Sequence, residues 1–75
     1  NPIRLNQNII LEELENGSYT VELFNGIGKL CSYNSMSINN SESAEISTSN
    51  LTPGIYFLRI ANGDRVQTTK VLITD

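Results

Sequence analysis

The side chains able to do chemistry are few. Cys31, the chain's single cysteine, offers a thiol, and Glu12, Glu13 and Glu15 gather three carboxylates in one short run. Serines are frequent, and Asn25-Gly26-Ile27-Gly28 has the glycine density of a phosphate-binding loop. Each of these groups lacks what its chemistry requires. A thiol or hydroxyl nucleophile needs a base to activate it, and the chain contains no histidine. Cys31 sits within a strand pattern and is predicted to be an inert, buried thiol. No serine lies in a G-x-S-x-G elbow. Glu12 and Glu13 would point to opposite faces of a strand, which prevents a shared acid–base role. The run lacks the spaced oxygen ligands of a calcium loop and is read as a solvated strand end. The glycines at 26 and 28 are not followed by G-K-[ST], so a tight turn is expected there. Catalysis, a metal site and a cofactor are therefore not expected.

The elements that position these groups belong to a small chain. Its 75 residues suffice for one domain, and a domain near this size buries only about 60% of the surface its unfolded chain exposes. The hydrophobic fraction of 39% is low, and Asn, Ser and Thr are plentiful, which favours short strands joined by polar turns. Net charge is −3, and the five basic residues, Arg4, Lys29, Arg59, Arg65 and Lys70, are scattered. No cluster follows a phosphate backbone, so nucleic acid is not an expected partner. One cysteine excludes an intrachain disulfide. There is no apolar run long enough to span a membrane as a helix. The chain opens on Asn-Pro-Ile-Arg with neither a methionine nor a basic-then-apolar leader, which reads as a segment of a longer protein with no signal peptide of its own.

Alternation with period two recurs along the chain, and no segment keeps a helical period. Candidate strands are Ile3–Leu5, Asn8–Leu14, Ser18–Phe24, Lys29–Asn34, Ala44–Thr48, Gly54–Ile60 and Arg65–Ile73. Turns are expected at Asn16-Gly17, Asn25–Gly28, Pro53-Gly54 (type II) and Asn62–Asp64. The polar stretch Ser35–Ala44 is read as a loop anchored by Ile38. This spacing predicts an all-β, immunoglobulin-like sandwich of about seven short antiparallel strands. Its expected core is Ile9, Leu11, Val21, Leu23, Leu30, Ile46, Leu51, Tyr56, Leu58, Ile60, Val66 and Leu72. The Tyr56 hydroxyl is expected to bond a nearby backbone group, as in a tyrosine corner. Ile55 and Phe57 point outward, and a patch shared with Phe24 is a candidate docking surface. Lys70 is read as an edge-strand charge or a recognition contact.

Four motifs stand in order. They are Asn1-Pro2, "VELFNGIGKL" (Val21–Leu30), "LTPGIYFLRI" (Leu51–Ile60) and "NGDRVQTTKVLI" (Asn62–Ile73). Together they resemble the C-terminal sorting domain of the type IX secretion system of the Bacteroidetes: an opening Asn-Pro, a [Tyr/Phe]-Asn-x-x-Gly turn, an L-x-x-G-x-Y-x-L-x-I strand, and a G-x-x…K followed by apolar residues. The resemblance spans the chain. The polar Ser35–Ser43 segment carries no family signal, and the acidic ending Ile73-Thr74-Asp75 departs from members that finish on a basic or neutral residue.

The resemblance implies a non-catalytic secretion signal, a single C-terminal domain over residues 1–75 behind a cargo in the same chain. That cargo would cross the periplasm and reach the cell surface or the medium. The implied partners are outer-membrane translocon and shuttle proteins and a sortase-like surface peptidase. The motif residues carried over are Pro2, Gly28, Leu51, Gly54, Tyr56, Leu58, Ile60, Gly63, Lys70, Val71, Leu72 and Ile73. The competing reading of the same fold is an immunoglobulin- or fibronectin-like accessory or spacer module of a secreted enzyme or adhesin. A third is a structural subunit assembled by strand exchange.

Overall fold

Side chains that alternate apolar and polar must form a sheet with one face covered, and two segments of this chain do so at length. In a computed structural model, which describes residues 2–12, 14–39 and 43–75, these become β3 (Gly17–Asn25) and β6 (Gly54–Asn62). They pair antiparallel at the centre of a five-stranded sheet of order β1-β7-β6-β3-β4. The flanking strands are β4 (Leu30–Ile38) and β7 (Arg65–Thr74), with β1 (Pro2–Arg4) outside β7. A second sheet, β2 (Ile9–Leu11) paired with β5 (Ala44–Ile46), is two-stranded, and its residues Ile9, Leu11 and Ile46 enter the core cluster. The described residues thus form the all-β sandwich of seven strands that the sequence predicts, with no helix. One ladder differs from an all-antiparallel arrangement, because β1 runs parallel to β7 with Pro2, Ile3 and Arg4 opposite Leu72, Ile73 and Thr74.

The two halves of the chain repeat. "LENGSYTVELFNG" (Leu14–Gly26) and "LTPGIYFLRIANG" (Leu51–Gly63) share Leu, Gly, Tyr, Asn and Gly at the same places, with an offset of 37 residues. Residues related by that offset meet across the middle of the fold. Ile9 is in register with Ile46, and Glu22 is in register with Arg59. Equivalent residues touch one another only on a twofold axis, so β2-β3-β4 and β5-β6-β7 are related by a pseudo-twofold passing between these pairs. The Asn8 amide donates to the Glu45 carboxylate at 3.0 Å, and Arg59 meets Glu22 at 3.1 Å, again with a separation of 37 residues.

The same device starts both central strands. Gly17 and Gly54 hold φ of +148° and +152°, a region that favours glycine. The tyrosine two residues on turns inward and is buried. Its hydroxyl returns to the backbone ahead of the glycine. The Tyr19 hydroxyl donates to the Glu15 carbonyl at 2.8 Å, and the Tyr56 hydroxyl donates to the Thr52 carbonyl at 2.7 Å while accepting from the Thr52 N–H at 3.2 Å. The tyrosine corner expected at Tyr56 is present, and a second one exists at Tyr19.

Local geometry corrects several expectations. Gly54 at +152° lies far from the value near +80° that a type II turn requires, so Pro53-Gly54 is a bend that opens β6. Asn16-Gly17 makes no hairpin, because β2 pairs with β5 and the chain crosses from one sheet to the other before β3. The Asn8–Leu14 strand is shortened to Ile9–Leu11. Of the expected Ser35–Ala44 loop, Ser35–Ile38 belong to β4, where pairing with β3 overrides their polar composition; residues 40–42 lie outside the described residues. The anchor Ile38 is buried. Asn25 closes the β3–β4 turn, accepting the Gly28 N–H on its carbonyl and the Ile27 and Lys29 N–H groups on its side chain. The β6–β7 hairpin has a two-residue loop, Gly63-Asp64, with positive φ at Gly63.

The core also shifts by one residue in β7. Val71 and Ile73 are buried, whereas Leu72 and Val66 lie on the outer face and are exposed. Tyr56 faces Val71 and Ile55 faces Leu72, so β6 sets the phase of β7. Leu30 is exposed because a bulge between Leu23 and Phe24 and their β4 partners carries it to the outer side opposite Phe24. Leu51 and Ile60 are only partly buried, at the rim of the core. The one buried polar side chain among the described residues, Thr48, is satisfied by donating to the Gln7 carbonyl at 2.6 Å. We expect Tyr19→Phe and Tyr56→Phe each to lower the unfolding free energy by about 1 kcal/mol, since the ring still packs but a backbone carbonyl loses its donor. Urea denaturation of the two variants measures this, and an unchanged midpoint for both would remove the corners from the account of stability.

Candidate recognition surface

Strand alternation divides the motif residues into two groups. Tyr56, Leu58, Val71 and Ile73 are buried, and Leu51 and Ile60 pack against the same cluster. Gly54, Gly28 and Gly63 take positive φ at the start of β6 and in the two hairpin turns. These residues shape the domain from within. Pro2, Lys70 and Leu72 are exposed instead, and the sheet brings these three together.

Register places Pro2, Leu72 and Ile55 side by side across β1, β7 and β6 on the outer face. The next row on that face runs Lys70, Phe57, Phe24 and Leu30 across β7, β6, β3 and β4. Ile55 (46% exposed), Phe57 (37%), Leu72 (40%) and Leu30 (46%) leave this end of the sheet open and apolar, with the Lys70 ammonium at its margin. Apolar side chains gathered in this way mark a contact surface more often than single exposed ones do. The expected grouping of Phe57 and Ile55 with Phe24 is therefore seen. Leu30 joins them only because of the bulge, which alternation within β4 does not reveal. The face changes character one row further on, where Arg59 and Glu22 form their ion pair and Tyr33 stands opposite Glu22.

The groups considered first for chemistry are dispersed. Cys31 is exposed, which corrects its expected burial, since the bulge at Leu30–Ser32 takes it out of the alternating pattern. Its Sγ lies 3.4 Å from the Lys29 carbonyl. Glu12 is exposed at the end of β2, Glu13 lies outside the described residues, and Glu15 pairs with Arg65 at 3.6 Å on the far side of the β6–β7 hairpin. An open concavity of about 620 Å³ adjoins that pair, floored by Leu14, Tyr19 and Ile60, and Cys31 is not part of it. Among the described residues, Cys31 has only the Lys29 carbonyl as its hydrogen-bond partner. The arrangement presents a shaped, largely apolar surface.

Cys31 should react stoichiometrically with a maleimide in the folded protein, at a rate unchanged by urea below the unfolding transition. Reaction only on unfolding would return the thiol to the interior.

A family profile described as secretion system C-terminal sorting domain matches residues 1–74 of the chain. No curated protein and no solved structure matches it.

Proposed function

The chain belongs to the family of secretion system C-terminal sorting domains, and we propose that it is a non-catalytic address whose message is displayed on the outer face of the β6–β7 hairpin. Members of this family are C-terminal signals for type IX secretion in the Bacteroidetes, recognised by that machinery and leading to export to the cell surface or beyond. The finer reading is our own. The 75 residues form one domain at the end of a longer secreted protein that passes through the periplasm. An outer-membrane translocon or its shuttle proteins bind the domain, and a sortase-like surface peptidase then separates it from its cargo. Attachment to the surface or release follows.

The observation that supports this placement of the message is the open apolar group Ile55, Phe57 and Leu72 with Lys70 beside it. A receptor covering this end of the sheet removes exposed apolar area from water, at roughly 25 cal/mol per Å². The single ammonium then sets orientation more than strength. Pro2 lies in the same row, so the strand that leads in from the cargo side forms part of the surface being read. Pro2, Lys70 and Leu72 are accordingly assigned to contact. Leu51, Gly54, Tyr56, Leu58, Ile60, Val71 and Ile73 are assigned to holding the face in shape, as are Gly28 and Gly63 in their turns.

The test fuses these residues behind a periplasmic reporter in a bacterium that owns the machinery. Phe57→Ser, Leu72→Ser and Lys70→Ala together are expected to leave most of the reporter in the periplasm. The purified variant should keep a sheet spectrum with a lowered melting temperature, because Phe57 and Leu72 are each more than half covered by their neighbours in the sheet. Surface delivery of the triple variant at the wild-type level would show that this face is not what the machinery reads.

A further inference from the structure

We propose that the open edge of β4 pairs, antiparallel, with β4 of a second copy of this chain, making a twofold dimer with one continuous sheet. This rests on the fold alone and is independent of the sorting role. β4 spans nine residues, Leu30–Ile38, and among the described residues β3 is its only strand partner. Its sequence, LCSYNSMSI, contains no charge and no proline. A long, uncharged, unpaired edge is what folded proteins normally avoid, because its outward N–H and C=O groups accept another strand.

The pseudo-twofold supplies a comparison within the molecule. The edge equivalent to that of β4 belongs to β7, and there the chain itself docks a strand: β1 pairs with Leu72–Thr74, and the Leu5 N–H adds a bond to the Thr74 carbonyl at 2.7 Å. The part of β7 left open carries Arg65 and Lys70. The outer side of β1 is protected by its length of three residues, by Pro2 and by Arg4. One half of the fold therefore covers or charges its edge; in the other, among the described residues, the run Ser32–Ile38 beyond the bulge at Cys31 is neither covered nor charged.

Charge points to an identical partner. Two copies of one strand set antiparallel bring like residues close together, so any charge on it would meet its own kind. β4 brings none. On its neighbour β3 the outward Glu22 is already paired with Arg59. No other charge stands on β3 or β4. A twofold pairing of this kind consumes the edge of both copies, and the guarded opposite edge stops growth at the dimer.

Sedimentation velocity of the 75-residue protein over a rising concentration series should show monomer converting to dimer and no larger species. Amide hydrogen exchange under the same conditions should slow with concentration along Tyr33–Ser37 and stay constant in β1 and β7. Ser35→Lys, on the exposed side of β4, should weaken association by about tenfold or more. Thr68→Lys on β7 should leave it unchanged. Ser37→Glu serves in place of Ser35→Lys if that variant does not fold. A protein that stays monomeric at every concentration overturns the proposal. So does a dimer that tolerates both β4 charges, or one whose protection appears in β7.

Discussion

Across the seam between β3 and β6, Leu23 faces Leu58 and Val21 faces Ile60, and the rest of the domain is arranged around this ladder. Each half of the chain contributes a hairpin and one short strand, too few apolar residues to fold alone. Joined at the seam, the two hairpins give one sheet wide enough to have an interior face. The β2–β5 pair then closes it, meeting at Ile9 and Ile46 on the same pseudo-twofold. The residues with least exposure, Val21, Leu23, Ile46, Thr48 and Ile73, come from both halves and both sheets. An 8.3 kDa chain without a disulfide has no other source of cohesion of this size.

The tyrosine corners make the seam specific. A glycine with positive φ, a tyrosine two residues later and a carbonyl two residues earlier fix where each central strand begins. Fixing both starts fixes the register between them, and in a sheet a slip of one residue would exchange the buried and exposed faces. In β6 that exchange would put Ile55, Phe57 and Arg59 inside and Tyr56, Leu58 and Ile60 outside. The corner hydrogen bonds are modest in energy, yet they decide which face of the sheet is presented to solvent.

Much of this was legible in the residues. Alternation within Ser18–Phe24 and Tyr56–Ile60 located both central strands and their inward sets, and the pair Asn62-Gly63 marked the last hairpin. The errors have separate physical causes. In β7, "RVQTTKVLI" offers Val66, Val71, Leu72 and Ile73 with no clear alternation, and only pairing with β6 selects Val71 and Ile73. "SMSI" is too polar to look like a strand, but a neighbour with a full complement of backbone partners makes it one. The bulge that exposes Leu30 and Cys31 leaves no local signature. The pseudo-twofold was within reach, since L-x-x-G-x-Y and N-G occur twice at one offset; the differing residues between them obscured it. Of the candidate surface, Phe24, Ile55 and Phe57 followed from parity, whereas Pro2 and Leu30 arrived through long-range pairing.

A consequence follows for what a reader of this domain can sense. In L-x-x-G-x-Y-x-L-x-I the named positions are Leu51, Gly54, Tyr56, Leu58 and Ile60, which are buried, partly buried or required for backbone shape. The unnamed positions include Ile55, Phe57 and Arg59, which form the surface. The motif therefore specifies the scaffold, and solvent meets only the face and edges that the scaffold holds in place. Substituting a motif residue tests whether the domain folds; substituting its neighbours tests whether the domain is read. Lys70 and Leu72 differ, since they lie in the stretch "NGDRVQTTKVLI" and also stand in the open. Strand β7 is thus the place where the sequence signature and the accessible surface coincide. The β1 strand, running parallel to Leu72–Thr74, ties that place to the first strand of the fold.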